Sequence, residues 1–409
     1  MKNGMAKNRV KLIVAGCGGR GHWFVSQACK RKDYSLAALV DIVPGRAELT
    51  AQHVGVKKVP IFADLGEALD KVSCDAVILS TPDVAHPDGA VAALSRGCPV
   101  YVEKPLAISM EGCLRIVEAD RASGGKAFVG FNLRYAPVYK TIRKMIADGG
   151  VGRILNIQTD EYYYGGRTYF RRWNRLRNVG GGLWITKSCH DLDLLYWITS
   201  AFPEKVFATA ALTHYHPRPD AARLCRDCSL RKSCPDCHFP GGAIDEDAFS
   251  WKMAKLREDA GGDPADLCLW NSDKDTYDHA NAQIEFAGDI IATHTVNVVS
   301  SCSQRRMRVS GTDGMIDGDL ENSSVVHYKR HENKPREINV KASGGHGGGD
   351  ENILTDFAAF VRGEKPSPIS PAEASVSIAM GLACRLSSDR GAAVKMDEMP
   401  GWDRISGNS

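Results

Sequence analysis

The chain of 409 residues carries little net charge and no long apolar run. Its 52 Lys and Arg against 49 Asp and Glu leave +3, too little for nucleic acid or another polyanionic partner. No apolar stretch approaches the roughly 18 residues of a membrane span. Near the N-terminus two lysines, Lys2 and Lys7, precede the apolar run "LIVAG". That run is too short for a secretion signal and enters a glycine loop at once. These absences point to a cytoplasmic protein. Hydrophobic residues make 43% and charged residues 25%, a globular balance, and the length suits two cores better than one. Cysteine is not scarce. There are 13, an odd number, mostly scattered singly in apolar segments such as Cys29, Cys98, Cys113 and Cys384. These read as buried thiols in a reducing compartment, not as disulfides.

The front of the chain reads as a dinucleotide site. "VKLIVAGCGGRGHW" is an apolar strand from Val10 to Ala15 running into Gly16, Gly18 and Gly21, a G-x-G-x-x-G pattern. One glycine allows the tight turn, one the approach of a pyrophosphate, and one close helix–strand packing; the following helix N-terminus faces the phosphates. A second strand, "LAALVD", ends in Asp41. An acidic residue about 20 positions past the glycines suits ribose hydroxyls and repels a 2′-phosphate, so NAD is expected over NADP, with Arg46 as a group that relaxes the preference. The alternation continues through "DAVILSTP", with Thr81 and Pro82 at its end, the helix "HPDGAVAALSRG", then "PVYVEKP" and "KAFVGFNLRY". A β-α repeat of this kind implies a doubly wound parallel sheet with its ligand at the carboxyl ends of the strands. Glu103, Lys104 and Pro105 lie at such an end.

From about Phe131 the composition changes. A helix, "RYAPVYKTIRKMIADGGVG", leads into the strand runs "RILNIQTDEYYY", "EKVFATAALT", "HANAQIEFAGDIIATHTVNV", "RRMRVSGTDGMIDGDL" and "SSVVHYKR". "FAGD" reads as a hairpin turn. Two helices, "DENILTDFAAFVRG" and "PAEASVSIAMGLACRLSSD", close the chain, and the glycine-rich "SGGHGGGDEN" ahead of them reads as a flexible loop that brings His346 or Asp350 to a ligand. The expected domains are 1–131 for the cofactor and 132–409 for substrate and oligomerisation.

The pieces "GCGGRG", "STPDVAH", "VEKPLAIS", "GFNLRYAPVY" and "GGGLWITKSCHDLDLL" follow one another in an order that resembles the Gfo/Idh/MocA oxidoreductases over nearly the whole chain. The resemblance implies a Rossmann domain followed by an α+β domain with an open, mostly antiparallel sheet. It also implies hydride transfer between a nicotinamide and a secondary hydroxyl of a sugar, sugar derivative or cyclitol, in a homo-oligomer joined through the second sheet. Lys104 matches the lysine that orients substrate and polarises the hydroxyl. His190 matches the usual general base, and Asp193 the aspartate three residues later. Beside the glycines and Asp41, cofactor contacts are expected from Gly19, Arg20, Arg46, Thr81 and Pro82. His86, Glu103, Lys104 and Asn132 complete that set. Substrate contacts are expected from Arg134, Tyr162, Asp191 and His346. Where the family commonly carries an aspartate four residues before the histidine, this chain has Thr186, next to Lys187. If helical, Lys187 and His190 share a face, and the cation keeps the imidazole neutral and able to take a proton. Lys187 is therefore a third catalytic candidate.

Two further stretches stand out. "RTYFRRWNRLRN" sets Arg167, Arg171, Arg172, Arg175 and Arg177 among aromatics. Arginine forks suit carboxylate, sulfonate or phosphate, so Arg171, Arg172 and Trp173 are substrate candidates and the substrate is expected to be anionic or densely hydroxylated. "CRDCSLRKSCPDC" carries Cys225, Cys228, Cys234 and Cys237 in two C-x-x-C pairs, inside a Pro-, Asp- and Gly-rich insertion at about 215–275 with too few apolar residues to build its own core. Four thiolates on two such turns suit a structural tetrahedral Zn²⁺, with unmetallated thiols or a [4Fe–4S] cluster as the competitors. The expected function is an NAD-dependent sugar or cyclitol dehydrogenase. The main rival is a glycosidase holding NAD tightly and working by transient ring oxidation, elimination and re-reduction. A non-catalytic NAD sensor would not need both Lys104 and His190.

Overall fold

The computed structural model describes residues 9–342 and 344–407. Lys2, Lys7 and Ser343, the first residue of the glycine-rich run, lie outside them. Strands β1 (Val10–Ala15), β2 (Tyr34–Val40), β3 (Ile61–Phe62), β4 (Ala76–Leu79), β5 (Val100–Val102) and β6 (Ala127–Val129) form one sheet, ordered β3-β2-β1-β4-β5-β6, with every neighbouring pair parallel. Helices α1 (Gly19–Lys30), α2 (Pro44–Val54), α3 (Leu65–Lys71), α4 (His86–Leu94) and α5 (Met110–Ala122) make the crossovers. Covered on both faces, the central strands are apolar throughout, as in β4, where all four residues are buried. The strand order turns back between β1 and β4, which opens the crevice where such sheets bind their ligands.

After α6 (Pro137–Ala147) comes a second sheet. Its strands are β7 (Ile154–Tyr164), β8 (Pro203–Ala211), β9 (His279–Phe286), β10 (Ile290–Asn297), β11 (Val299–Gly311), β12 (Gly314–Asp319), β13 (Ser324–Lys329), β14 (Arg336–Asn339) and β15 (Val394–Lys395). They run in the order β14-β13-β12-β11-β7-β10-β9-β8-β15, antiparallel except for β7 beside β10. "FAGD" makes the β9–β10 hairpin, with Gly288 and Asp289 both at positive φ, as the twist of a tight hairpin demands. Burial alternates along β9. One face packs on helices; the other is open and shows Phe207 and Ile291.

Between β7 and β8 lie three single-turn helices, α7 (Gly166–Tyr169), α8 (Arg177–Gly180) and α9 (Leu183–Thr186), followed by α10 (Cys189–Thr199). The remaining helices are α11 (Phe249–Asp259), α12 (Gly345–Val361), α13 (Pro371–Arg390) and α14 (Trp402–Ser406). Helix α12 crosses back to the first sheet, where Ile353, Leu354, Phe357 and Ala358 join the core of Phe24, Tyr101 and Phe128. Burying Phe357 there contributes about 2 kcal/mol, so the C-terminal half completes the covering of the cofactor domain.

Two expectations change. The glycine-rich run is no free loop. His346, Gly347 and Gly348 take left-handed backbone at the head of α12, and a side chain on Gly349 would meet the Asn132 carbonyl at 2.2 Å. Glycine is there because the turn packs directly on backbone. The insertion, expected to lack a core, builds a small one from Cys225, Phe239 and Cys268, against which Trp251 and Trp270 pack.

Candidate active site at the carboxyl ends of the parallel strands

The glycine loop divides into packing and open positions. Gly16 has φ +87°, and a side chain there would meet the Ser80 carbonyl at 2.6 Å; one on Gly21 would strike the Gly16 carbonyl at 1.7 Å. Gly19 faces open space, and the nearest atom to a side chain at Gly18 is Arg46 Nη2, at 3.4 Å. Asp41 closes the end of β2. It accepts from Cys17 N (2.9 Å) and Val43 N (3.0 Å) and pairs with Arg46 at 3.4 Å. The Thr81 hydroxyl is buried at the end of β4 without a partner among the described residues, as a group held for a ligand would be. The residues therefore fit a dinucleotide.

Arg20, Glu103 and Asn132 are tied to one another and to α12. Arg20 pairs with Glu103 (2.7 Å) and Asp350 (2.6 Å). Asn132 Nδ2 donates to Asp350 at 2.7 Å, and His346 Nδ1 lies 2.9 Å from the same carboxylate. Burial pushes the Asp350 carboxyl up, but His346 and Arg20 outweigh it and hold it well below the usual range. His86 lies between the carbonyls of Pro105 (2.8 Å) and Thr81 (3.2 Å), bracing the strand ends. Lys104, before the cis Pro105, sends its ammonium to the Thr186 carbonyl at 3.2 Å. Burial lowers that ammonium, but Cys189, Tyr169, Asp83 and Glu103 together raise it above its ordinary value.

Asp83, just past Pro82, is a buried residue that sequence reasoning missed. Burial drives its carboxyl well above the usual range, with Lys104 and the Thr186 hydroxyl offsetting part of the effect. A carboxyl thus reaches the neighbourhood of Thr186 from another element. Its signal was an acidic residue immediately after a strand end.

His190, at the start of α10, is 2% exposed. Its Nδ1 is buried without a partner, and its ring centroid lies 5.5 Å from that of His346. Burial first, then Lys104, Arg305, His346 and Lys187, hold the imidazole well below its ordinary value. Lys187 ends α9 instead of sharing a helix with His190, and pairs with Glu161 at 2.6 Å over the ring of Tyr163. Glu161 also binds Arg305 (2.6 Å), which grips Asp191 through two bonds of 3.0 and 2.7 Å.

Several substrate candidates sit elsewhere. Asp191 is committed to Arg305. Arg134 is buried between Asp193 (2.7 Å) and Glu373 (2.6 Å). Tyr162 lies on the opposite face of β7 from Glu161 and Tyr163, because successive strand residues alternate; Tyr163 is the one turned toward Lys187. Arg171 donates to the Asp236 carbonyl inside the insertion. Arg167 reaches the Pro235 carbonyl, Arg175 pairs with Asp263 and Asp273, and Arg177 with Asp389. Trp173 packs beside Gly180. Like Arg167, which bonds the Pro235 carbonyl, Arg172 is solvent-accessible without a carboxylate partner among the described residues. Protein walls around it lower its basicity, and Tyr169 lies beside both it and Lys104.

Cys225, Cys228, Cys234 and Cys237 line one pocket, to whose wall neither Lys104 nor His190 contributes. Among the described residues, no three His, Cys, Asp or Glu side chains are gathered as a bound metal ion would hold them.

A parallel sheet in this order, with an open glycine turn and Lys104 at a strand end, defines a dinucleotide-dependent oxidoreductase. The description "Oxidoreductase family, NAD-binding Rossmann fold" matches residues 10–131, and "Oxidoreductase family, C-terminal alpha/beta domain" matches 143–396. The chain belongs to the Gfo/Idh/MocA family. It is 30% identical over 357 residues to YteT of Bacillus subtilis (strain 168), named as an oxidoreductase, spanning 79% of this chain and 82% of that one. It is 29% identical over 198 residues to the scyllo-inositol 2-dehydrogenase (NAD(+)) of the same organism, 48% of this chain and 55% of the relative, so that enzyme is matched over about half its length. In fold it resembles the WlbA dehydrogenase of Bordetella pertussis, solved with NADH and UDP-GlcNAcA (TM-score 0.70, 18% identity, 95% of this chain and 99% of the other). No helix among the described residues is long and apolar enough to cross a membrane.

Proposed function

We propose that the protein is an NAD-dependent oxidoreductase acting on a secondary hydroxyl of a sugar, sugar derivative or cyclitol. The observation that supports this reading is a half-buried Lys104 at the carboxyl end of β5, whose ammonium acts on a buried His190 imidazole held below its ordinary value. When bound, the nicotinamide supplies a two-electron acceptor for the carbinol hydride. The chain's own groups handle the proton. Burial and the surrounding cations keep the His190 imidazole uncharged, so it accepts the hydroxyl proton as the carbonyl forms. Lys104, with one N–H engaged by the Thr186 carbonyl, directs others at the substrate oxygen and stabilises developing negative charge. Against burial, its surroundings, Cys189 and Tyr169 ahead of Asp83 and Glu103, raise that ammonium above its ordinary value. Lys187, Glu161, Arg305 and Asp191 form a buried chain of ion pairs that fixes the start of α10.

The substrate we infer is anionic, and Arg172 is its receptor: an accessible guanidinium beside Tyr169, free of any internal carboxylate. The names of the relatives, inositol dehydrogenases among them, support a polyhydroxylated ring. A second copy is expected to cover the open sheet face around Phe207 and Ile291.

The test is a panel of cyclitols, neutral sugars, uronic acids and glycosides, followed both by NADH absorbance and by product analysis. NADH formed in step with a ketone supports the dehydrogenase. Aglycone release without net NADH would replace it by redox-assisted glycoside cleavage.

A further inference from the structure

The sequence points to four cysteines in the insertion; the structure brings a fifth. Leu224 and Leu267 pair as an antiparallel bridge. Around it Cys225 N donates to Asp266 O at 3.0 Å and Cys268 N to Arg223 O at 2.8 Å. This sets Cys268, 31 residues beyond Cys237, beside Cys225, and their thiols share a hydrogen bond. Cys225, Cys228, Cys234, Cys237 and Cys268 all line a single pocket of about 10 Å³, room for one water-sized atom.

The backbone around them is shaped to receive thiolates. In each C-x-x-C pair the second cysteine's N–H bonds the first one's carbonyl, Cys228 to Cys225 (3.3 Å) and Cys237 to Cys234 (3.2 Å), two tight turns of one kind. His238 N donates to Cys225 Sγ at 3.5 Å and Phe239 N to Cys237 Sγ at 3.4 Å. The Trp270 and Asn271 N–H groups bond Cys268. Donors aimed at sulfur favour its charged form.

A second observation, independent of the cysteines' spacing, comes from charge. Arg171 is buried, forms no ion pair among the described residues, and leaves its Nε without a partner. Cys225, Cys268 and Cys237 lie close enough to act on it electrostatically. A desolvated guanidinium without a counter-charge is strongly disfavoured. Neutral thiols leave Arg171 uncompensated; a tetrathiolate metal centre, with net charge −2, balances it.

We propose that the insertion is a structural zinc module in which Cys268 supplies one of four thiolates and the loop cysteines supply the other three. The thiols turn inward from their present positions to bond the ion. Four sulfurs close a tetrahedral shell and leave no position for substrate. The role is to hold α11. Arg226, next to Cys225, pairs with Asp266 (2.6 Å) and with Glu258 of α11 (2.7 Å). The far end of α11 rests on the cofactor domain: Phe249 stacks on His53 at 4.1 Å and lies 4.7 Å from His22.

Metal analysis and X-ray absorption on the full-length wild-type protein, purified without added metal, test this directly. About one zinc per chain with four sulfur neighbours near 2.3 Å is expected. Cys268→Ser should retain less than half the zinc and unfold at lower temperature, whereas Cys302→Ser, an exposed thiol outside the module, should match wild type in both. Full zinc in Cys268→Ser, iron with sulfide in place of zinc, or wild-type protein free of metal would each overturn the proposal. If Cys268→Ser does not fold, the count of sulfur neighbours in the wild type and the release of zinc on thiol-specific mercurial titration decide it alone; fewer than four sulfurs, or no zinc released, overturns it.

Discussion

Arg20 and Asp350 stand 330 residues apart in the chain and 2.6 Å apart in the fold. The guanidinium belongs to the glycine-loop helix and the carboxylate to α12, two residues past its left-handed turn. Through Asp350 the same junction holds Asn132 and His346, so the element that covers the cofactor sheet and the ring facing His190 are fixed by one carboxylate.

Asp350→Asn is therefore expected to destabilise the protein by about 2–3 kcal/mol, the lower end for a broken buried pair because Arg20 keeps Glu103. Its pH dependence is a sharper check. The folded-state value of Asp350 is depressed, so its stabilisation is present above the unfolded value of about 3.9 and is lost as pH falls below it. Chemical denaturation from pH 7 to pH 3 should show a smaller acid loss in the variant. Equal acid limbs would remove this role.

The parallel sheet was legible because it follows from local pattern: apolar strands, glycine turns and chain order. Lys104 and His190 were picked out through the family resemblance, and the structure puts the lysine within electrostatic reach of the imidazole. What was not legible depended on partners far along the chain. The arginines at 167–177 looked like one ligand-binding run, yet Arg171, Arg175 and Arg177 face groups 65, 98 and 212 residues later. Tyr162 and Tyr163 differ by one position, and only the register of β7 decides which faces the site. Cys268 carries no spacing signal at all; an antiparallel bridge delivers it. Asp83 was passed over because a buried carboxyl beside a lysine looks, in sequence, like any turn residue.

Asp41 should set cofactor choice. Its carboxylate holds Arg46 at 3.4 Å and repels a 2′-phosphate. Asp41→Ala removes the repulsion and frees a cation, so the preference for NAD over NADP should narrow by about tenfold or more, near 1.4 kcal/mol. Titration calorimetry with both cofactors measures it. Wild-type protein that binds NADP more tightly would contradict the assignment.

Arg172 should act on binding more than on chemistry. Arg172→Met is expected to raise KM for carboxylate-bearing substrates about tenfold or more while leaving neutral sugars within twofold, since a charge-assisted bond to a carboxylate contributes about 1.5–3 kcal/mol. Arg175→Met, whose parent side chain is held by Asp263 and Asp273, should lower stability without that selectivity. Equal effects of Arg172→Met on charged and neutral substrates would place the receptor elsewhere.

In the proposed reaction His190 and Lys104 carry the chemistry, and their variants should separate it from folding. His190→Ala and Lys104→Ala are each expected to lose about 10²–10⁴-fold in kcat while keeping NAD affinity within a few-fold. The pH profile gives a second handle. The His190 imidazole is held below its ordinary 6.5 by burial and then by Lys104, Arg305, His346 and Lys187. It stays uncharged as pH falls through 6.5, and the acid limb of kcat/KM should lie below that value. Removing one cation should move the limb upward, so Lys187→Met, which also leaves Glu161 closer to the ring in charge, should shift it toward 6.5 with kcat at the optimum reduced far less than in His190→Ala. The same depression acts on stability: the unfolded chain takes up the proton first as pH drops below 6.5, so the folded state loses stability over that range and His190→Phe should lose less. A limb that does not move in Lys187→Met, together with near-normal turnover in His190→Ala, would transfer the base to another residue.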